Sequence, residues 1–473
     1  AERVTSIVDR SLSGCRQEIT CWCPQEKFRR CKIPEMSHWY FIVSSHRLGA
    51  PALTGWYSLR VHCNLKRMPM RILQLTKKFP YPLKDGESLA ISYLAGALDA
   101  QGCELTLLSM NTCKHYSDPR ALPQDEQHWE SVHVENVDTR VRPFPALRHL
   151  IRKESYHIGR FVQDGFRTRL IALLREKEFD VIQLETLYLT PYIDDIRAHS
   201  NAIIALRTHN VEHEIWERMA TNQRPGLKRW YLQTLSNQLK SFEISQLSRI
   251  DLLVAISRRD LDRFRELGYQ GPAVCLPIGL DTVRYTPCLK AFNRTVSLAF
   301  IGSLDWMPNK EGLLFFLEEV WKQAKAEGLK VELHVAGRNM PPSLLKRKWE
   351  GVHLHGEVHD AKAFINEHAV MVVPLLSGSG MRAKILEGMA LGRAVITTSL
   401  GLEGIEAEPG EEVLLADSAA TFLKCLRYVI DQPEELVQIG RRARTKVLSE
   451  YDTHRQAKKL IDAYRSFLVE ISS

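Results

Sequence analysis

The chain has 473 residues, of which 44% are hydrophobic and 25% charged, and a formal net charge of +8. That length exceeds what one core ordinarily supports, so two or three domains are expected, and the absence of any apolar run of about 18 residues excludes an obvious membrane-spanning helix. The basic balance favours anionic partners such as a nucleoside diphosphate, acidic lipid headgroups or nucleic acid.

Five cysteines, Cys15, Cys21, Cys23, Cys31 and Cys63, fall before residue 64, and Cys103, Cys113, Cys275, Cys288 and Cys425 are scattered singly. Too few for a disulfide scaffold in a chain this long, they indicate a reducing compartment and a cytoplasmic location. The early set has no Cys-x-x-Cys and no paired zinc spacing, so no metal is expected there. Residues 1–69 lack amphipathic periodicity and do not resemble a signal peptide. They are expected to be a dispensable extension, with Met70 as the functional start.

From Arg71 apolar runs alternate with helical stretches. Ile72 to Leu75 reads as a strand, followed by a turn-rich segment ending Lys84-Asp85-Gly86-Glu87, a helix from Ser88 to Ala100, and a strand from Leu105 to Leu108. Val181 to Leu184, Ala202 to Leu206 and Leu252 to Ile256 follow, with a long helix over about Val211 to Ser248. After a Pro/Gly-marked linker, taken as 277–295, a second alternation runs through Val296 to Ile301, Val331 to Val335, Val352 to Leu354, Val370 to Val373 and Ala394 to Thr397. This pattern predicts α/β domains with parallel sheets over 70–276 and 296–448, binding ligands at the carboxyl ends of their strands. A last helix occupies 449–473.

Residues 140–175 concentrate Arg140, Arg142, Arg148, Arg152, Lys153, Arg160, Arg167, Arg169 and Arg175, interleaved with Phe144, Leu147 and Phe161. Such a face suits either an anionic bilayer or plain solvation. No nucleic-acid motif accompanies it, so no nucleic-acid partner is expected.

The most informative segment is Pro374 to Gly388. It leaves a strand, turns through Gly378 and Gly380, and enters a helix carrying Arg382, Lys384 and Glu387. A glycine turn at a helix N-terminus offers backbone N–H groups and a positive dipole end to a diphosphate; the two cations add to it, and a carboxylate one turn on can accept from ribose hydroxyls. Taken alone, the loop is equally compatible with a tight turn beside solvated side chains.

This segment resembles the nucleotide-sugar signature of family 4 retaining glycosyltransferases, in the branch that carries Gly-Ser-Gly-Met-Arg-x-Lys-Ile-Leu-Glu. The resemblance runs from about Met70 to Ser473 and implies the GT-B fold, two Rossmann-like domains facing across a cleft. It makes 70–276 the acceptor-binding domain and 296–448 the nucleotide-sugar-binding domain, with the 449–473 helix returning to the first. Glu387 matches the ribose-binding glutamate, whereas the acid usual eight positions earlier is replaced by Ser379. Gly86 matches the loop that nears the donor diphosphate, and His209, after the strand ending at Leu206, matches the histidine facing the donor sugar; a structural histidine is the alternative there. Gly302 and Ser303 stand where relatives approach the diphosphate, with Ser303 replacing an arginine. The load then passes to Arg382, Lys384 and the backbone of Gly380 and Met381, with Lys310 a secondary helper. Leu276 to Asp281 resembles the family's interdomain turn, and Val335 to Arg338 and His355 to Val358 its later glycine segments. Glu403 is expected to be a solvent-exposed acid.

The implied activity is metal-independent, retaining transfer from a nucleoside diphosphate sugar, with no other cofactor, to a glycan or lipid-linked acceptor in cell-surface polysaccharide or glycolipid synthesis. It would take place in the cytoplasm, with peripheral contact at the inner membrane face through 140–175. Two alternatives stay open: another GT-B enzyme such as a nucleotide-sugar epimerase, and a catalytically silent binding subunit.

Overall fold

A computed structural model of the chain describes residues 28–29, 42–43 and 69–472, apart from 84, 141, 143, 145–147, 150–151, 153, 222, 294–295 and 379. The chain divides into two units, Ala1–Met68 and Pro69–Ser473. In the first, strand β1 (Phe28–Arg29) pairs antiparallel with β2 (Ile42–Val43). The expected dispensability of 1–69 otherwise concerns positions outside the described residues.

The second unit contains two parallel sheets. The first comprises β3 (Arg71–Thr76), β4 (Glu104–Thr112), β5 (Ser131–Val137), β6 (Val181–Leu184), β7 (Ile203–Thr208), β8 (Leu252–Ala255) and β9 (Ala273–Cys275), in the order β5-β4-β3-β6-β7-β8-β9. Its strands β6, β7 and β8 are mostly apolar because both faces are covered. Alternate residues feed opposite cores: Leu73, Leu75 and Ile182 pack with Phe166 and Leu170, while Ile72 and Val181 pack with Ile91, Leu94 and Leu460.

The second sheet comprises β10 (Ser297–Ile301), β11 (Glu332–Ala336), β12 (Val352–Gly356), β13 (Val370–Val373), β14 (Ala394–Thr397) and β15 (Leu414–Leu415), in the order β12-β11-β10-β13-β14-β15. Each sheet reverses its strand order beside its first strand, at β3/β6 and β10/β13, which opens a crevice outside the carboxyl ends there.

The crossings between lobes run side by side. Leu280 N–H donates to Tyr451 O at 2.8 Å and Thr453 N–H returns to Leu280 O at 2.9 Å. A Cβ on Gly279 would lie 2.7 Å from Thr453 Cα, so only glycine allows that approach. The helix Thr453–Ser472 lies on the first lobe: its Leu460, Ile461 and Tyr464 enter the core with Ile91 and Leu98, and Tyr464 donates to Gln183 Oε1 at 2.7 Å.

Two expectations about elements are corrected. The single helix over Val211 to Ser248 is a pair, Glu212–Thr221 and Leu227–Leu247, because Pro225 removes a helical donor and Gly226 takes φ 153°. Strands β5, β9 and β15 were not foreseen, the last two being only three and two residues long. Among the described residues no helix is long and apolar enough to cross a membrane.

Candidate active site

The glycine turn after β13 lies where the lobes meet. Gly378 and Gly380 have φ 109° and 78°, and a Cβ on Gly380 would stand 2.2 Å from Asn210 Oδ1 and 3.0 Å from His209 O. Only glycine therefore lets this loop approach the end of β7. From the other side, a Cβ on Gly86 would lie 3.6 Å from Ala383 Cβ. Gly86, His209 and the 380–383 turn, read separately from the sequence, thus come together. Ser379, with the expectation attached to it, lies outside the described residues, as does Lys84.

Arg382 occupies the N-cap position of the helix Ala383–Ala390 rather than its first turn. It is 5% exposed. Its guanidinium donates to Gly380 O and lies 5.8 Å from the centre of the Trp306 ring, and burial lowers its pKa to about 10. Lys384 is half-buried; its ammonium donates to Ile301 O at 3.1 Å and Asn309 Oδ1 at 2.6 Å. Burial, and then Arg382, push it down to about 7. Two neighbouring cations held below their usual range form a site that an anion would relieve.

Gly302 makes room for that lysine, since a Cβ there would stand 3.0 Å from Lys384 Nζ and 2.5 Å from Asn309 Nδ2. The Ser303 hydroxyl bonds to Asp305, and its carbonyl accepts from Asn309 Nδ2 at 2.9 Å. Asn309, which the sequence passed over in favour of Lys310, is the residue that positions Lys384.

Glu387 Oε1 accepts from the Tyr285 hydroxyl at 2.9 Å, which lies 3.3 Å from that of Tyr93. Burial raises the Glu387 pKa, opposed by the Tyr285 hydrogen bond and by Lys362 and Lys384. The Tyr93–Tyr285 contact reaches across the lobes, a bridge that no sequence pattern announced.

In the first lobe His209 is buried, with Nε2 3.1 Å from Glu185 Oε2. Arg207 Nη1 donates to the same oxygen at 3.1 Å. Burial alone would raise the Glu185 pKa, but Arg207 and His209 hold it below its usual range. An ionised carboxylate only accepts, so Nε2 carries the proton and, in the neutral ring, Nδ1 is the acceptor. The sequence reading missed Glu185, although its place directly after β6 put it at a strand's carboxyl end.

Lys77 and Lys78, just past β3, were missed too. Lys78 Nζ lies 2.6 Å from Asp85 Oδ1 and Lys77 Nζ 3.4 Å from Glu87 Oε2. Burial would raise Glu87, but Lys77, Lys78 and His209 overcome it and bring it to about 2.

The expectation for Glu403 is corrected. It is largely buried, accepting from Arg218 Nη2 at 2.8 Å and Nη1 at 3.1 Å, and Arg218 Nη1 also donates to Gly378 O at 2.7 Å. The loop holding Glu403 lies on the junction, for a Cβ on Gly404 would be 3.2 Å from Ser257 Cβ. An acid in that position is paired with Arg218 and Arg259 of the other lobe and is only partly open to water.

Two Rossmann-type lobes bring a glycine turn, two cations and a helix N-terminus to one crevice, the arrangement of the GT-B fold. The family model described as "Glycosyltransferase Family 4" matches residues 86–284, and that described as "Glycosyl transferases group 1" matches residues 295–432. The chain belongs to the family 4 glycosyltransferases. It is similar to an "Uncharacterized 44.6 kDa protein in cps region" of Klebsiella pneumoniae, 22% identical over 367 residues, covering 75% of this chain and 89% of that protein. Among solved structures it resembles sucrose-phosphate synthase of Thermosynechococcus elongatus at TM-score 0.62 and 15% identity, over 85% of this chain and 100% of that one. Anabaena HepE in complex with UDP-glucose matches at TM-score 0.59 and 14% identity, over 84% and 100% of the two chains. At such identities the likeness shows the fold alone.

Proposed function

We propose that this glycosyltransferase moves a sugar, with retention and without a metal, from a nucleoside diphosphate sugar to a glycan or lipid-linked acceptor, in cell-surface polysaccharide or glycolipid synthesis. The observation that carries it is the placement of Lys384 beside buried Arg382 at a glycine turn on the lobe junction, where the ammonium bonds only to neutral oxygens. Support for the donor comes from HepE, whose structures hold UDP and UDP-glucose, and support for the pathway from the cps-region relative.

Roles follow from position. The bond between the anomeric carbon and the diphosphate breaks, and charge builds on the departing oxygens. Arg382, Lys384 and the N–H groups of Gly380 and Met381 stabilise it as it forms, which costs no reorganisation at the moment of reaction. Gly302 and Ser303 line the same strand end, and Gly86 keeps the facing loop close. The acceptor oxygen bonds to the anomeric carbon from the face the diphosphate leaves, and its proton passes to a phosphate oxygen. His209, held by Glu185, turns its ring toward the sugar; Glu387 accepts from ribose hydroxyls.

Peripheral contact of 140–175 with an anionic inner membrane face would serve a lipid-linked acceptor. Phe144 is 83% exposed there, although Arg140 and Arg142 already share Asp138. Vesicle co-sedimentation at varied salt tests this part, and no binding even at low salt removes it.

Incubation with a panel of donors, with and without glycan and lipid-linked acceptors, tests the whole. The expected result is a glycoside of retained configuration that forms only with acceptor present. A rearranged nucleotide sugar from donor alone points to an epimerase, and inertness toward every donor to a binding subunit.

A further inference from the structure

Away from the crevice, near the amino ends of the second sheet's strands, lies a concentration of metal-ligating side chains with no place in sugar transfer. Strand β11 carries Glu332 and His334 at alternate positions, and its edge neighbour β12 carries His353 and His355. His334 is registered against His353, so Glu332, His334 and His353 share one face while Leu333 and Val335 enter the core on the other; His355, where the register shifts, stacks on His334 at 5.2 Å between ring centres.

Glu332 Oε2 lies 3.6 Å from His334 Nε2 and 3.9 Å from His353 Nε2. The ligand atoms of the three residues fall within 4.8 Å of one another. A zinc ion held at about 2.0–2.1 Å in tetrahedral geometry sets its ligand atoms roughly 3.3 Å apart, so small rotations close this triad around one ion. His334 Nδ1 is 3.0 Å from His355 Nε2, which fixes the ring with Nε2 turned to the triad. Metal-bound histidines are oriented in this way by a neighbour of their second nitrogen. His368 packs behind with its ring centre 4.3 Å from that of His334. It is buried, and its Nε2 has no hydrogen-bond partner among the described residues.

A packed histidine surface is a poor alternative account. Strands favour β-branched and aromatic residues, and this edge already carries an irregular register at Val335/Ala336, so protection of the edge does not account for the histidines. Here adjacent imidazoles stack at 4.5 Å between centres beside a carboxylate. We propose that Glu332, His334 and His353 bind one divalent transition-metal ion of the zinc class, with His355 and His368 in support, and that the ion ties edge strand β12 to β11. Glu332 and His353 are half exposed, so an ion reaches the site from solution, and three protein ligands leave the fourth position to water.

The test uses the full chain, stripped with chelator and titrated with zinc chloride by calorimetry, with the metal counted by elemental analysis. One ion per chain and a raised melting temperature are expected. Cobalt(II) should give the intense visible bands of a tetrahedral site. The double variant His334→Ala/His353→Ala should lose the stoichiometric ion and the cobalt bands. Glu332→Gln, a milder change, should weaken zinc binding about tenfold, and His454→Ala should change nothing. Either no zinc uptake by the wild-type chain, or the same uptake by folded Glu332→Gln and double variants, overturns the proposal.

Discussion

In the first lobe the charged groups at the strand ends stand in opposed pairs: Lys77 and Lys78 with Asp85 and Glu87, and Arg207 and His209 with Glu185. In the second lobe Lys384 bonds to a carbonyl and an amide oxygen, both neutral, and burial pushes it to about 7. The first lobe compensates its charges internally and so presents oriented, settled groups. The second sets Arg382 and Lys384 side by side at a helix N-terminus, with Glu403 and Glu387 acting against the burial that lowers them, which suits it to a diphosphate whose charge grows during reaction. The lesson is a division of labour: one face shapes the crevice and the other supplies its field.

Removing a cation from the second lobe should break that contrast most severely. Arg382→Ala is expected to lower turnover about a hundredfold or more at saturating donor. A rise in KM alone would assign Arg382 to ground-state binding instead. Glu387→Gln should weaken nucleoside diphosphate binding about tenfold, as for the loss of a charged hydrogen bond, measured by calorimetry. Tyr285→Phe removes only the neighbour of that carboxylate and should do less.

The lysine also sharpens the comparison through pH. In the unfolded chain it keeps its proton to near 10.5, whereas the folded, ligand-free protein gives it up from about 7. Between those values the unfolded state binds more protons, so the contribution of Lys384 to stability rises with pH and is lost as pH falls through 7. Lys384→Met should flatten that rise in denaturant titrations. A bound diphosphate should restore the proton, so binding at pH 8 takes up protons in the wild type and not in the variant, as calorimetry in buffers of different ionisation enthalpy will read. The smallest effect belongs to the clamp between lobes. Arg218→Ala, at a partly exposed ion pair, should cost about 1 kcal/mol or less, read as a slightly lower melting temperature.

What could be read from the sequence was whatever local pattern encodes. The alternation of Ile72, Val181, Ile203 and Leu252 runs with helices announced the first sheet, and the two glycines before Arg382 announced the turn. Strand β5 escaped because its alternation, Ser131 to Val137, is half polar and half buried, and β9 because three residues carry no period. Within the site, residues on the signature loop were legible, whereas their supports were not. Glu185 meets Arg207 and His209, and Asn309 meets Lys384, only once each sheet has formed. Tyr93 meets Tyr285 only through the tertiary fold, and Glu403 looked solvated until Arg218 and Arg259 were placed around it. The histidines of β11 and β12 are nineteen positions apart, and only parallel pairing makes His334 and His353 one unit.

The measurement that tests the central claim most directly is a thermal-shift panel of nucleoside diphosphates on the wild-type chain and on Lys384→Met. The account predicts that at least one diphosphate raises the wild-type melting temperature and that the variant, folded and cooperative, loses most of that rise. Equal shifts in both proteins, or none with any diphosphate, would contradict a crevice built to hold pyrophosphate.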